Sequence, residues 1–339
     1  MRTLRYKSFM KRFAIRRYVI QLKNWCRISR KINALNNIKM DKKINLSKQV
    51  TVLGLGAMGT ALAEAFIKAG YTTTVWNRSA DKTVPLVKKG AVATSTVSEA
   101  VSASELTVIC VLNYDVLEQI LKPVAGELRG HTLVSLTNDT PKRARQMALW
   151  AEEQGIDYLD GSVLVPVTEV GKPEALLLYS GPRNIFDKYF PVLKALGGKS
   201  TYLGEAPGRA ALYDIAMMNI FFTSLTGVLH SYALLNAEGE QAEEFLPYAR
   251  EIFGVAEHFL ENFALSADKA HYPGHLDNIT MEAAGVKHVV EAGRDAGIHT
   301  GVPQAVKDVF DRAIEAGFGA SGMPSAIEGI RKAVRAETR

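Results

Sequence analysis

A glycine-rich segment beginning at residue 54 has the residue types and spacing of a phosphate-binding turn. Its six residues read GxGxxG: Gly54, Leu55, Gly56, Ala57, Met58 and Gly59. The segment follows a short apolar run and precedes apolar residues at helical spacing, which places it between a strand and a helix. There the first glycine permits a tight turn, the second lets a pyrophosphate approach the backbone, and the third lets helix and strand pack closely. Because the free N–H groups at a helix start favour anions, the segment predicts a dinucleotide site.

Polar and basic side chains at the end of the second predicted strand indicate which dinucleotide binds. They are Asn77, Arg78, Ser79 and Lys82. An NAD enzyme usually carries Asp or Glu at the position of Asn77, where the acid holds the ribose 2′-hydroxyl. Neutral Asn77 does not repel a 2′-phosphate, and Arg78 can bind one through forked hydrogen bonds. This pattern favours NADPH. The alternative is that Arg78 and Lys82 are a solvated pair at a strand end.

A single carboxyl, Asp214, lies in the largely apolar segment AALYDIAMMN at 210–219. Burial in such a helix disfavours the charged form of the carboxyl, so its pKa should be raised. A carboxylic acid of raised pKa can donate a proton near neutral pH. The alternative is a structural Asp whose oxygens are satisfied by the backbone or by a neighbouring helix.

The elements that position these residues fall into two classes along the chain. Up to about residue 205, apolar strands alternate with helical patterns, which predicts a Rossmann-type doubly wound, mostly parallel sheet. The strands are predicted at 50–54, 72–76, 106–112, 132–136, 156–160 and 175–180. A long apolar helix at 207–236 then links to helices near 241–263, 276–296, 302–317 and 323–336, without strand signals. We therefore predict an α/β domain at 49–205 and an all-helical domain at 206–339.

The charge of the chain is unevenly distributed. Residues 1–48 hold fifteen Lys or Arg and one acid, Asp41, whereas residues 49–339 hold 26 basic and 34 acidic residues. The acidic body shows no basic stripe interleaved with aromatics, so no nucleic-acid partner is expected for 49–339. No uninterrupted apolar run reaches the roughly 18 residues of a membrane span, so no membrane partner is expected there either. The 22% of charged residues and 47% of hydrophobic residues are typical of a globular protein.

The basic extension at 1–48 has several interpretations. It is rich in Arg and poor in acids like an organelle transit segment, but it contains few serines. The same charges suit an arm that binds a membrane surface or nucleic acid. Alternatively, translation starts at Met40. Two cysteines, Cys26 and Cys110, form no zinc-type spacing, so no metal site and a reducing, cytoplasmic location are expected.

Several segments together resemble the 6-phosphogluconate and β-hydroxyacid dehydrogenase superfamily, and within it the imine reductase and reductive aminase branch. Besides GLGAMG at 54–59, they are VWNRSADK at 75–82, DGSVLVP at 160–166, PEALLLYSG at 173–181 and GEAPGRAALYD at 204–214. The resemblance covers about residues 49–339. It implies a Rossmann domain joined by a long helix to a helical domain, NADPH as cofactor, and a homodimer with sites between subunits.

Two departures from the hydroxyacid dehydrogenases favour the imine-reducing branch. The loop with which those enzymes hold a carboxylate reads Leu164-Val165-Pro166 here, and their proton-donating Lys is replaced by Leu212. The resemblance gives the catalytic role to Asp214, because imine reductases carry Asp or Tyr at this helix position. Asp214 would protonate a C=N bond before hydride attack, or stabilise the iminium as a carboxylate. The substrates implied are an imine, or a carbonyl compound plus an amine. The alternatives are a β-hydroxyacid dehydrogenase and a non-catalytic NADPH-binding protein.

Other candidate residues are assigned by position or by resemblance. Asn113 and Tyr114 follow the strand at 106–112 and could flank the nicotinamide or cap the next helix, and Ser135, Thr137 and Asn138 pose the same choice after the following strand. The candidates for substrate contact are Tyr114, Leu164, Met218, Phe222, Met281 and Glu282. Met218 and Phe222 could equally belong to a dimer core. The last two open a helix that, in the family's dimers, can close the pocket of the other subunit.

Overall fold

A computed structural model describes residues 48–336 of the chain. Apart from Lys48, the predicted extension at 1–48 lies outside the described residues. So do the alternatives proposed for that extension, including a translation start at Met40.

An eight-stranded sheet forms the N-terminal part of the described chain. Its strands follow the order β3-β2-β1-β4-β5-β6-β7-β8, and all neighbours are parallel except β6 and β7. Their bounds are β1 Gln49–Leu53, β2 Thr72–Trp76, β3 Val92–Ala93, β4 Leu106–Ile109, β5 Thr132–Ser135, β6 Asp157–Val163, β7 Leu176–Ser180 and β8 Lys199–Tyr202. The predicted doubly wound, mostly parallel architecture is confirmed.

Helices cover both faces of this sheet. They are α1 Ala57–Lys68, α2 Val84–Val87, α3 Val97–Ser102, α4 Tyr114–Leu121, α5 Ala125–Leu128, α6 Pro141–Gln154 and α7 Arg183–Leu193. Phe66 of α1 packs in one apolar cluster with Val52, whereas Leu117 of α4 packs in a second cluster with Leu53. Alternate residues of β1 therefore feed two cores, as expected for a strand buried on both faces.

Two of the eight strands, β3 and β8, were not predicted from the sequence. Strand β3 has only two residues, both exposed, and is too short for any periodicity. Strand β8 at the other edge reads KSTY with no buried residue, so it lacks the apolar signal of a strand. The run predicted at 106–112 ends as a strand at Ile109, although the N–H of Cys110 still bonds to the oxygen of Leu53.

The remainder of the described chain, up to residue 336, is helical and contains no strand. Its helices are α8 Arg209–Ala237, α9 Ala242–Lys269, α10 Ile279–Asp295, α11 Gly301–Ala313 and α12 Ala326–Ala336, with a short π-helical turn at Ile314–Phe318. Ile279, Ala283, Phe310 and Ala313 form an apolar cluster among them. The chain divides into two compact units between Asp214 and Ile215, inside α8.

Helix α8 is unusually apolar on its exposed surface. Ile220, Phe221 and Leu229 are 64%, 59% and 65% exposed. By length and composition alone it is the one described helix that could cross a membrane. A search for uninterrupted apolar runs in the sequence misses this helix, because polar residues such as Asn219 and Thr223 interrupt its apolar residues. A surface of this kind on a folded chain marks an interaction face.

Two glycines of the 54–59 turn provide a matched pair of stability predictions. A Cβ on Gly59 would lie 1.9 Å from the backbone oxygen of Gly54, whereas a Cβ on Gly56 would meet nothing within 4 Å. We expect Gly59→Ala to lower the free energy of unfolding by about 1–3 kcal/mol, because the clash outweighs the better helix propensity of Ala. Gly56→Ala, at φ −68°, should leave stability close to that of the parent, because the gain from a stiffer unfolded chain is offset by the poorer N-cap preference of Ala. Urea denaturation of both variants checks this, and equal stabilities would contradict it.

Candidate active site

The turn between β1 and α1 packs closely against neighbouring backbone, which requires glycine at Gly54. Gly54 has φ +90°, a conformation that favours glycine, and a Cβ there would lie 2.3 Å from the oxygen of Cys110. Gly56 precedes the first residue of α1, and no side chain caps that helix. The N–H groups of the first helical turn have no intrahelical acceptor, so they are able to bind an anion.

Asn77 fastens this turn to the end of β2. Its Oδ1 accepts a hydrogen bond of 2.9 Å from the N–H of Leu55, and its Nδ2 donates to the oxygen of Ser79 at 3.1 Å. The sequence analysis considered Asn77 only as a neutral residue near a 2′-phosphate. The structure adds that the side chain sets the relative position of the glycine turn and the strand end.

The basic residues after β2 are open to solvent. Arg78, Ser79 and Lys82 are exposed, and no ion pair within residues 48–336 involves Arg78 or Lys82. Their positive charges are therefore not neutralised by a carboxylate of this part of the chain. They follow the strand end that Asn77 links to the glycine turn, so this edge carries positive charge that is open to an anion.

Of the two residues predicted to flank the nicotinamide, Asn113 caps helix α4 and Tyr114 is inaccessible. Asn113 Oδ1 accepts from the N–H of Val116 at 3.1 Å. The side chain of Tyr114 is fully buried, and its hydroxyl lies 2.8 Å from that of Tyr158. The prediction that Tyr114 contacts the substrate is therefore wrong, because no part of its side chain reaches the surface. Thr137 is also engaged, since its hydroxyl accepts from the N–H of Val111.

Asp214 is buried in the second turn of α8, and its carboxyl is bound by neutral polar groups. It is 6% exposed, and its Oδ2 accepts a 2.6 Å hydrogen bond from Nδ2 of Asn138. Burial raises the pKa of this carboxyl, and hydrogen bonds from Asn138 and Ser162 offset part of that rise. Asn138 is thus a residue of the Asp214 site. The predicted rise in pKa has the physical cause that the apolar sequence suggested.

A second carboxyl, Asp160 of β6, lies close to Asp214 and caps the start of α8. Asp160 Oδ2 accepts from the N–H of Ala211 at 3.2 Å, and Oγ of Ser180 accepts from the N–H of Ala210 at 3.0 Å. Burial raises the pKa of Asp160 to about 6, and repulsion from Asp214 adds to the rise. Sequence reasoning used Asp160 only as part of a motif. The sequence around Asp160 does not indicate that its carboxyl binds the N–H of Ala211, which is 51 residues further along the chain.

The other predicted substrate residues are placed as follows. Leu164 is half-buried, and its N–H donates to the oxygen of Leu176 at 3.0 Å. The remaining four belong to the second compact unit: Met218 and Glu282, which are half-buried, and Phe222 and Met281, which are 56% and 54% exposed. Their contact with a substrate stays a prediction. Within the described part of the chain, no group of three or more His, Cys, Asp or Glu is arranged to hold a metal ion.

Family models match nearly all of the described chain. Residues 49–204 match the NAD binding domain of 6-phosphogluconate dehydrogenase, and residues 206–332 match the C-terminal domain described as NADPH-dependent reductive aminase-like. The chain is 35% identical to an NADPH-dependent reductive aminase of Aspergillus oryzae, over 84% of this chain and 97% of the relative.

Solved structures show the same likeness. An imine reductase of Bacillus cereus is 41% identical, with a TM-score of 0.78 over 84% of this chain and 99% of that one. A reductive aminase of Aspergillus terreus, in complex with NADPH4, cyclohexanone and allyl amine, is 34% identical, with a TM-score of 0.78 over 83% of this chain and 99% of the other.

The contact between Asn138 and Asp214 generates a prediction about the pKa of Asp214. Asn138→Ala removes a donor that stabilises the charged carboxylate, so we expect the pKa of Asp214 to rise further. Asn113→Ala is the matched control, because Asn113 Oδ1 bonds to Val116 in α4. Carboxyl-carbon NMR titration of the parent and both variants measures the shift. An unchanged pKa in Asn138→Ala would contradict the assigned contact.

Proposed function

Since the chain belongs to the family of imine reductases and NADPH-dependent reductive aminases, we propose that it reduces carbon–nitrogen double bonds. NADPH, when bound, supplies the hydride that adds to the imine carbon. The observation that carries this proposal is the buried Asp214, which lies in the segment matched by the reductive aminase-like domain and holds a carboxyl of raised pKa.

The residues present fit NADPH. A Cβ on Gly56 would project into space free of protein atoms within 4 Å, so the backbone there leaves room for a pyrophosphate. The uncapped start of α1 would hold the pyrophosphate, and Arg78, Ser79 and Lys82 would hold the 2′-phosphate. The side chain of Asn77 is a neutral amide, so it adds no negative charge to this edge.

Asp214 has two ways of promoting hydride addition. As a neutral acid it donates its proton to the imine nitrogen, which makes the carbon more electrophilic. As a carboxylate it stabilises a substrate that arrives already protonated. Asn138 and Ser162 hold the carboxyl in either case, because each can donate to an ionised or a neutral Asp214. A rate that falls as pH rises through the pKa of Asp214 supports the first role, and a rate that falls as pH drops supports the second.

One assay separates this proposal from its two alternatives. Purified protein is given NADPH with a cyclic imine, or NADP⁺ with a 3-hydroxy acid, and nucleotide absorbance is followed. We expect oxidation of NADPH with the imine. Turnover of the hydroxy acid alone would support a β-hydroxyacid dehydrogenase, against which the Leu164-Val165-Pro166 loop and Leu212 argue. NADPH binding without any turnover would support a non-catalytic protein.

The proposed partners are an imine, or a carbonyl compound and an amine, and a second copy of this chain. The exposed apolar residues of α8 support a homodimer, because they lie in the family's C-terminal domain and a shared surface would cover them. In such a dimer Met281 and Glu282 would approach the partner's site.

A cytoplasmic location is also proposed. Its support is the cysteine content of the sequence, because two cysteines are too few for a disulfide framework. Burial raises the pKa of the Cys110 thiol to about 11, so it is unreactive at neutral pH.

The first prediction of this proposal concerns cofactor choice. Arg78→Ala should weaken NADPH binding by about 1.5–3 kcal/mol, the range of hydrogen bonds to charged groups, and leave NADH binding nearly unchanged. Arg183→Ala is the control, because Arg183 is an exposed arginine of α7 that is paired with Asp187 of the same helix. Fluorescence titration of both nucleotides measures the effect. An unaltered preference for NADPH in Arg78→Ala would refute the assignment.

The second prediction concerns Asp214. Asp214→Asn should lower kcat for a cyclic imine by roughly 10²–10⁴-fold, the usual effect of losing a positioned acid. NADPH affinity should stay near the parent value, since Asp214 lies outside the phosphate-binding turn. Circular dichroism and NADPH titration confirm that the variant is folded. A folded variant that works at the parent rate would show that Asp214 does not handle the proton, and Tyr213 would be the next residue to test.

The third prediction concerns assembly. Light scattering at micromolar concentration should give about twice the chain mass of 37.1 kDa. Ile220→Asp should lower that mass towards the monomer, because it places a charge on the exposed apolar surface of α8. A parent protein that is monomeric at this concentration would contradict the dimer.

A further inference from the structure

The N-terminal unit contains an open cavity beside the second half of helix α1. Its volume is about 740 Å³, and the residues of α1 and its end that line it run from Ala61 to Ala69. The other walls are Lys89, which follows α2, residues between 167 and 172 after β6, and residues 194–195 after α7. Ligand cavities of proteins usually measure about 300–1,000 Å³, so this one has room for a molecule of metabolite size.

Small residues form the floor of this cavity. Ala61, Ala65 and Ala69 are spaced by four residues, so they lie along one face of α1. Gly171 packs against this face, because a Cβ on it would lie 3.3 Å from the Cβ of Ala65. Its φ of +82° also favours glycine. Larger side chains at these positions would fill the space, so the small residues keep the cavity open.

Four lysines surround the floor. They come from separate segments of the chain: Lys68 ends α1, Lys89 follows α2, Lys172 precedes β7 and Lys194 follows α7. Among the lining residues in the described part of the chain, Glu64 is the one acid. The lining therefore has an excess of positive charge, which a bound anion would neutralise.

Ion pairs already occupy two of these lysines. Nζ of Lys89 lies 2.6 Å from Oε1 of Glu64, and Nζ of Lys172 lies 2.8 Å from Oε1 of Glu169. The other two lysines take part in no ion pair within residues 48–336. The charge that the protein leaves unmatched at the cavity is thus about that of two lysines.

The end of α1 does not oppose an anion at this place. Free carbonyl groups at a helix end repel anions, but here the oxygens of residues 65–67 accept hydrogen bonds from the N–H groups of residues 69–71. Lys68 is the last residue of this 12-residue helix, so about 16 Å of helix separate it from the glycine turn. The lysines around the cavity are therefore distinct from the basic residues that follow β2.

We propose that this cavity binds a small multivalent anion, an organic phosphate or a polycarboxylate, through Lys68 and Lys194. Two unpaired lysines match a ligand with at least two negative charges, and lysine binds such groups as a point charge. The alanines of the floor and Ile67 offer apolar surface to the carbon part of the ligand. This site goes beyond imine reduction and does not depend on it.

The test is isothermal calorimetry at low ionic strength. Protein loaded with one equivalent of NADPH is titrated with pyrophosphate and, separately, with citrate; NADPH fluorescence confirms that the nucleotide stays bound. We expect one anion per chain to bind, with a Kd that rises as NaCl is added, because salt screens exposed charges. Tighter binding of pyrophosphate identifies an organic phosphate as the ligand, and tighter binding of citrate identifies a polycarboxylate.

Two double variants decide whether the cavity is the site. Lys68→Gln with Lys194→Gln should raise the Kd about tenfold or more, since both charged partners are lost. Lys142→Gln with Lys269→Gln removes the same net charge from exposed lysines outside the lining, and should leave the Kd within about twofold of the parent. All four side chains are exposed, so both variants should melt near the parent temperature.

The proposal would be overturned if the parent bound neither anion, or if the two double variants weakened binding equally. Equal weakening would mean that net charge alone attracts the anion. Failure of the proposed function looks different, because a protein that does not reduce imines could still bind pyrophosphate or citrate at the cavity in this assay.

Discussion

The N–H groups of Ala210 and Ala211 begin helix α8 where water has little access, since both residues are buried. A buried donor left without an acceptor costs about 1–3 kcal/mol, so the fold must supply acceptors at this place. It does so with Asp160 and Ser180, which the register of β6 and β7 sets side by side. Because the helix must start on these two oxygens, Asp214 comes to rest between Ser162 and Asn138. The position of the carboxyl that we propose to handle the proton thus follows from the sheet.

The glycine turn at 54–59 is likewise positioned by close backbone contacts and by one side-chain hydrogen bond. A Cβ on Gly59 would clash with the oxygen of Gly54, and a Cβ on Gly54 would clash with the oxygen of Cys110. Asn77 ties the turn to the next strand through the N–H of Leu55. A Cβ on Gly56 would meet no protein atom within 4 Å. No side chain caps the first N–H groups of α1. The two sites proposed for phosphate and for the proton therefore both consist of backbone donors that the fold positions and of side chains that it holds in place.

The sequence allowed the Rossmann architecture, the helical second half and the family to be predicted, because GxGxxG, buried apolar runs and helical spacing are local signals. It also indicated that burial would raise the pKa of Asp214. It missed the helix cap by Asp160, because the cap joins residues 51 positions apart. It was wrong about Tyr114, since only the packing of α4 against the sheet shows that this side chain is buried. Edge strands without apolar residues, such as β8, gave no signal either.

The central claim is that hydride passes from NADPH to an imine carbon while Asp214 governs the proton on nitrogen. Its most direct measurement uses NADPH deuterated at the transferring position of the nicotinamide, a cyclic imine and mass and NMR analysis of the amine formed. The account predicts one deuterium on the former imine carbon with the parent protein and almost none formed in the same time with Asp214→Asn. Amine without deuterium, or equal labelling by the two proteins, would contradict it.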